Sequence, residues 1–465
     1  MTAGPAPDPT EGSVREPVAR LRTAFEAGRT RPYEWRRAQL MALRRLLTER
    51  EAEIAAALHT DLNKSLFEAV NTEIGFVVKE IDHALRHLRK WMSAQKVRTP
   101  MMTQPGSSWV QPIPKGVVLI IGAWNYPLEL LGSPLVAALA AGNAVILKPS
   151  EISAHTSAAW ARLAPQYLDT QAVGVVEGGA EITSRLLAEK FDHILYTGNE
   201  HVGRIVMSAA ARHLTPVTLE LGGKSPCILD ADADIAVAAA RIAWSKFMNA
   251  GQTCIAPDYV LVAAPVLQPF LAALKKRLQK SFGDDPAKSP DYGRIVSDRH
   301  LARLQSYMTG VTPHIGGQVH AASRYMAPTV VVNPPLDGSL MREEIFGPIL
   351  PVLAVADMAK AVAFVRARPA PLALYAFTRD AALQRQVTEE LQAGSVCIND
   401  AIVFRVSPEL PFGGVGPSGM GRYGGWYGFE TFSHMKAVMK RGFRFDVELR
   451  YPPYSATKLK WMRKL

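Results

Sequence analysis

The chain has 465 residues, 48% of them hydrophobic and 20% charged, with a formal net charge of +11. Such a length and balance supply enough apolar surface for more than one core and exclude a disordered or low-complexity polypeptide. Basic residues are scattered, with short clusters at Arg36-Arg37, Arg44-Arg45 and the Lys458 to Lys464 end. No recognition motif accompanies them, so the charge reads as solvated surface with no nucleic-acid partner.

Three widely separated cysteines, Cys227, Cys254 and Cys397, form neither a disulfide framework nor a zinc-ligand pattern. Their scarcity fits a reducing compartment, and the expectation is a cytoplasmic protein without a metal.

The first dozen residues are rich in Ala, Pro, Asp and Glu without an apolar run, which suits a tail and not a signal peptide. From Val14 to Trp91 the pattern is helical, with Leu40, Leu43, Leu46 and Leu47, then Ile54 and Leu58, at helical spacing. Pro100, Pro105, Gly106, Pro112 and Pro114 break that pattern over 98–114, where Trp109-Val110 suits a strand.

Between Gly116 and Leu147 the only formal charge is Glu129, a stretch long enough to span a membrane. Gly122, Asn125, Pro127, Gly132, Pro134 and Gly142 punctuate it. It reads better as strand 117–121, a tight turn, a buried helix and strand 144–147 of a parallel sheet covered on both faces. Strands at 173–176, 193–196 and 217–219 continue the series, with crossovers at 182–187 and 202–211.

A second alternation follows, with strands at 225–229, 259–262, 329–332, 349–354, 374–377 and 395–398. Helices at 235–248, 266–281 and 381–391 lie between them. The fold class expected is α/β, with two doubly wound domains that meet near Glu220. Residues 1–94 and 115–220 make the first domain and 221–410 the second. Segments 95–114 and 411–465 form a bridging element and a tail.

Cys254 closes Asn249-Ala250-Gly251-Gln252-Thr253-Cys254 and precedes Ile255-Ala256-Pro257. A loop of small residues leaves a thiol accessible, as a nucleophile needs. Glu220, in Leu219-Glu220-Leu221-Gly222-Gly223-Lys224, is a carboxylate at an apolar strand end. Desolvation there raises its pKa towards that of a general base, and an ion pair with Lys224 is the alternative. Asn125 follows the first core strand in Ala123-Trp124-Asn125-Tyr126-Pro127. It suits either an oxyanion donor, with the Cys254 backbone N–H as a second, or a cap for the next helix.

Lys148 and Glu151, in Leu147-Lys148-Pro149-Ser150-Glu151, end a strand and start a helix. They suit ribose hydroxyls or a surface ion pair. Tyr196-Thr197-Gly198-Asn199 with Val202-Gly203 is a glycine turn into a helix N-terminus, a resting place for a pyrophosphate. No GxGxxG occurs, which argues against an ordinary dinucleotide fingerprint. Pro411 to Gly419 is glycine-dense and suits close backbone approach.

These motifs occur together in an order that resembles the aldehyde dehydrogenase superfamily, and GQTCIAPDY, YTGN, FETFSH and YPPY are similar to its class 3, fatty or aromatic aldehyde branch. The resemblance covers nearly the whole chain. It implies NAD(P)-dependent oxidation of medium- or long-chain aliphatic or aromatic aldehydes to acids. Cys254 would form a thiohemiacetal and then a thioester, which Glu220 hydrolyses through water.

Cofactor contacts implied by the resemblance fall on Trp124, Lys148, Glu151, Gly198, Asn199, Gly203, Gly222, Glu344 and Phe346. Glu344 would hold the nicotinamide ribose, with Phe346 near the nicotinamide. Tyr126 and His434, with Trp124, would line the substrate funnel. Glu151 disfavours a 2′-phosphate by charge, so NAD is expected ahead of NADP. A homodimer is implied through 98–114 and the region after Pro411. Some relatives carry a hydrophobic anchor beyond YPPY that this sequence lacks. Leu459, Trp461, Met462 and Leu465 amid lysines suit a short terminal helix or weak surface contact. The rival readings are a CoA-acylating dehydrogenase, disfavoured by Glu220, and a catalytically idle homologue.

Overall fold

The computed structural model describes residues 12–464, so nearly all of the expected N-terminal tail, and Leu465, lie outside the described residues. The helical stretch resolves into Gly12–Glu26, Tyr33–Glu49, Glu51–Leu62 and Gly75–Met92. In Tyr33–Glu49 the leucines at 40, 43, 46 and 47 are all buried, as their spacing requires.

The first six-stranded sheet runs Gly419–Met420, Val217–Glu220, His193–Thr197, Val117–Ile121, Ala144–Lys148, Val173–Val175. All are parallel except Gly419–Met420, which pairs antiparallel with Val217–Glu220. Chain order reverses beside Val117–Ile121, whose neighbours are the next strand on one side and His193–Thr197 on the other. A crevice opens at the carboxyl ends of strands where order reverses in this way. Val117–Ile121 and Ala144–Lys148 are buried along their whole length, which explains their unbroken apolar runs. The Glu129–Ala141 helix between them is buried at every position and ends at Gly142, with φ +88.

The second sheet is wholly parallel and runs Thr329–Val332, Ile349–Val355, Tyr259–Ala263, Pro226–Leu229, Ala373–Phe377, Ser395–Ile398. Two doubly wound α/β sheets are therefore present. A third, antiparallel sheet joins Gln95–Val97, Gly106–Pro114 and Ser433–Arg441, with Trp109 opposite Val438.

The helix before Cys254 ends at Phe247, one residue short of its expected end, because Asn249 and Ala250 are left-handed. Helices Ala154–Tyr167, Asp298–Tyr307 and Met358–Arg366 and a π-helical turn at Val70–Ile74 add to the expected elements. Near the carboxyl end a short helix, Ala456–Met462, forms with Leu459 and Trp461 exposed. Among the described residues no helix is long and apolar enough to cross a membrane, and no cluster of His, Cys, Asp and Glu could hold a metal ion.

Candidate active site

Cys254 owes its position to a backbone that L-residues rarely adopt. Asn249, Ala250 and Gly251 have φ of 52, 51 and 75, and left-handed non-glycine residues each cost about 1–2 kcal/mol. Buried side chains offset that cost. Asn249 Nδ2 donates to the carbonyls of Asn125 (2.8 Å) and Gln252 (3.2 Å). Gln252 Nε2 donates to Asn249 O and Arg294 O, both at 2.9 Å, and its Oε1 accepts from Val296 N–H. At Gly251 a Cβ would stand 2.2 Å from Gly347 O, so only glycine fits.

The half-buried Cys254 faces a cleft of about 710 Å³ lined mainly by Phe76, Tyr126, Trp244, Met248, Ile402 and Phe412, with Glu129 and Arg405 as its charged members. Burial pushes the thiol pKa far up, and the carboxylates of Glu344, Glu220 and Glu129 add to this against Arg405. The resting thiol is therefore protonated near neutrality. Its alkylation by iodoacetamide without cofactor should climb steadily with pH. A plateau reached below about pH 8 would show a thiolate already formed.

Asn125 is 2% exposed, and its Nδ2 donates to Gln252 O at 3.1 Å, which leaves the second amide hydrogen available. Asn125 does not cap the following helix. That place is taken by Glu73, whose Oε2 accepts from Leu128 N–H (2.8 Å) and Glu129 N–H (3.2 Å). Tyr126 lines the cleft with its hydroxyl 2.7 Å from Thr253 Oγ1.

Glu220 ends its strand at 2% exposure, and neither carboxylate oxygen has a hydrogen-bond partner. The Lys224 alternative does not hold. Lys224 bonds Asp258, Leu340 O (2.8 Å) and Glu343 O (2.7 Å) instead. Burial holds the Glu220 carboxyl well above the usual range; Arg405 lowers it and Glu129 raises it further.

A second crevice, about 1390 Å³, is lined by Asn199, Gly222, Gly223, Lys224 and Glu344 among others. Asn199 caps helix Glu200–Ala211 by accepting from Val202 N–H at 3.0 Å. A Cβ on Gly198 would lie 2.1 Å from the Tyr196 hydroxyl, and one on Gly203 would lie 2.9 Å from Leu221, so the latter glycine serves helix–strand packing. A Cβ on Gly222 would meet Glu344 Oε2 at 1.9 Å. The Glu344 carboxyl is pushed up to about 8, first by burial and then by Asp258.

The loop carrying Glu344 and Phe346 is clamped by Lys224 and by Arg303, which donates to Glu344 O (3.3 Å) and Ile345 O (2.8 Å). Phe346, with φ +48, meets Trp124 edge-on at 5.2 Å, and His300 lies 4.9 Å from the same indole. Lys148 is buried; it donates to Pro149 O at 2.7 Å and lies 3.6 Å from the exposed Glu151.

The structure does not bring His434 to the cleft. It is exposed on Ser433–Arg441, paired opposite Ile113 in the antiparallel sheet, because strand pairing outranks the family pattern that suggested a funnel role. Sequence reading also missed Arg405, Glu129, His300, Lys64 and Glu73 as site residues. Glu129, the lone charge in an apolar stretch, was the one visible signal. Its carboxylate accepts from Arg405 at 2.5 Å, and Arg405 also donates to Glu80 at 3.3 Å.

Comparison with known proteins places the chain in company. The model of the aldehyde dehydrogenase family matches residues 2–438. The chain is 49% identical over 448 residues to aldehyde dehydrogenase family 3 member A2 of Mus musculus, covering 96% of this chain and 93% of that one. It is 46% identical to the dimeric NADP-preferring aldehyde dehydrogenase of Canis lupus familiaris, covering 95% and 98%. The substrate-bound structure of Staphylococcus aureus AldH superposes with a TM-score of 0.95 at 41% identity, covering 97% and 99%.

Proposed function

This chain belongs to the aldehyde dehydrogenase family and oxidises aldehydes to carboxylic acids with NAD(P), and on that premise we propose how its residues divide the work. The observation that carries the assignment is a buried Glu220 carboxyl without a hydrogen-bond partner, together with the Cys254 thiol that lines an apolar cleft.

Cys254, once ionised, attacks the aldehyde carbon. The free amide hydrogen of Asn125 and the Cys254 backbone N–H stabilise the oxyanion of the thiohemiacetal. When bound, the nicotinamide supplies the hydride acceptor that leaves Cys254 carrying a thioester. Glu220 then takes a proton from water, which attacks the thioester and frees the acid.

The second crevice fits the dinucleotide. Gly222 leaves a space that a Cβ would fill, directly against the Glu344 carboxylate. Glu344 would hold the nicotinamide ribose, with Phe346 and Trp124 at the ring. Gly198 and Asn199 would hold the pyrophosphate at the start of Glu200–Ala211, backed by Gly203. Lys148 and Glu151 would hold the adenosine ribose. Gly222→Ala should raise KM for NAD about tenfold, the scale of one lost hydrogen bond to the Glu344 carboxyl, with little change in KM for the aldehyde. An unchanged KM would remove Glu344 from the ribose.

The exposed Glu151 should set NAD ahead of NADP at matched concentrations. Glu151→Gln should raise kcat/KM for NADP about fivefold, the scale of one screened like-charge contact. No change would show that the 2′-phosphate lies elsewhere.

The aromatic and aliphatic lining of the cleft supports medium- to long-chain or aromatic aldehydes as substrates. The division into residues 1–94 with 115–220, 221–410, and 95–114 with 411–465 is supported by the two six-stranded sheets and the three-stranded one, although Gly419–Met420 joins the first. A homodimer built on the antiparallel sheet is supported by the dimeric canine relative. Cytoplasmic residence is supported by three cysteines, all unpaired.

Reduced-nicotinamide formation from NAD and a medium-chain aldehyde, without and with CoA, tests the assignment. Turnover without CoA is the expected result. Turnover only with CoA would identify an acylating enzyme in which water is not the acceptor.

A further inference from the structure

Behind the Asn125 turn lies an ion pair that the reaction itself does not use. Lys64 Nζ donates to Glu73 Oε1 at 2.5 Å, and both side chains are fully buried. Lys64 follows helix Glu51–Leu62, and Glu73 lies in the π-helical turn Val70–Ile74. Both reach across to one short segment. Lys64 Nζ donates to the Asn125 carbonyl at 3.0 Å and sits 3.9 Å over the Tyr126 ring. Glu73 accepts from the N–H groups of Leu128 and Glu129. The same Asn125 carbonyl accepts from Asn249, whose side chain also holds the Gln252 carbonyl that fixes the Asn125 amide.

Two charges placed in a dry interior are costly, and a hydrophobic pair of similar size often serves stability as well. A functional reason is therefore called for. π-Helical turns such as the one carrying Glu73 are frequent at functional sites. Every hydrogen bond of this pair to the 125–129 segment is to backbone, so the pair fixes where the turn lies while leaving the Asn125 amide free for chemistry.

We infer that Lys64 and Glu73 are positioning residues for the oxyanion donor: together they hold the Asn125 backbone so that its amide faces the carbonyl under attack at Cys254. The inference rests on the oxyanion role proposed for Asn125. Oxyanion stabilisation depends on donors fixed before the charge develops, and a shift of about 1 Å can cost about a hundredfold in rate.

The test is a double-mutant cycle on full-length enzyme, read as single-turnover hydride transfer with NAD and a medium-chain aldehyde. Lys64→Met should slow that step about tenfold to a hundredfold and leave KM for NAD within about twofold. In an Asn125→Ala background the same change should slow it less than about twofold, because the donor it positions is gone. Equal slowing in both backgrounds, with Asn125→Ala itself slow, would overturn the positioning role and leave the oxyanion role standing. A normal rate for Asn125→Ala would remove both. If Lys64→Met does not fold, the charge-balanced Lys64→Met/Glu73→Gln enzyme takes its place. Asn249→Ala, which removes the other donor to the same carbonyl, should show the same background dependence.

Discussion

Cys254→Ala should lose reduced-nicotinamide formation by a factor of about 10⁴ or more, because among the described residues no second thiol lines the cleft. The remaining cysteines are the controls. Cys227 is fully buried on Pro226–Leu229, and Cys397 is half-buried on Ser395–Ile398, where burial and Asp400 push its thiol up to about 11. Alanine at Cys397 should leave turnover near that of the parent. At Cys227 the change should cost about 1 kcal/mol of stability without touching the chemistry. NAD binding to Cys254→Ala, followed by tryptophan fluorescence, should persist, since the dinucleotide crevice is lined by other residues. Substantial residual turnover in Cys254→Ala, or its loss in Cys397→Ala, would move the nucleophile.

Glu220→Gln should separate the two halves of the reaction. Hydride transfer needs no base at Glu220, so a first turnover should remain as a burst. Thioester hydrolysis should fall by about 10²–10⁴, the range of a positioned general base. Mass spectrometry should then find the acyl group on Cys254. A loss of burst and steady state together would assign Glu220 to the attack step instead.

The pH dependence follows from the same burial. A base works as its carboxylate, and the folded Glu220 carboxyl ionises well above the usual range. The acid limb of hydrolysis should therefore lie at a higher pH than an ordinary glutamate gives, and Glu220→Gln should erase it. For stability, the folded state keeps a proton that the unfolded chain has already released. Stability thus falls as pH rises from the ordinary carboxyl range through the folded pKa. Glu220→Gln should raise the Tm most at alkaline pH and scarcely at all in acid. A Tm gain independent of pH would mean that packing and not charge is responsible.

The parallel sheets were legible because strands buried on both faces are written as unbroken apolar runs, as at Val117–Ile121. Cys254, Glu220 and Asn125 were legible because each follows a strand or helix end and matches a motif of the family. Strand Gly106–Pro114 was only half legible. Its partner, Ser433–Arg441, carries Lys436, Lys440 and Arg441 without a regular alternation and pairs across most of the chain, a contact that local periodicity does not report. His434 was misplaced for the same reason. The supporting residues were hidden differently. Lys64 and Glu73 look like ordinary charges on helical surfaces, and only their burial against another segment's backbone gives them a role. Arg405 sits in a loop whose sequence carries no pattern, yet its guanidinium lies over the rings of Phe76 and Phe412 within the cleft.

The pairing of Gly419 with Glu220 also has a bearing on biosynthesis. Ser418 O receives the Leu221 N–H at 3.0 Å, and Gly419–Met420 is the strand that closes this edge of the first sheet. During translation, residues up to Cys254 emerge long before this strap does. The nascent polypeptide holds its nucleophile and its base early, but the base acquires its final surroundings only once residues 418–420 have been made.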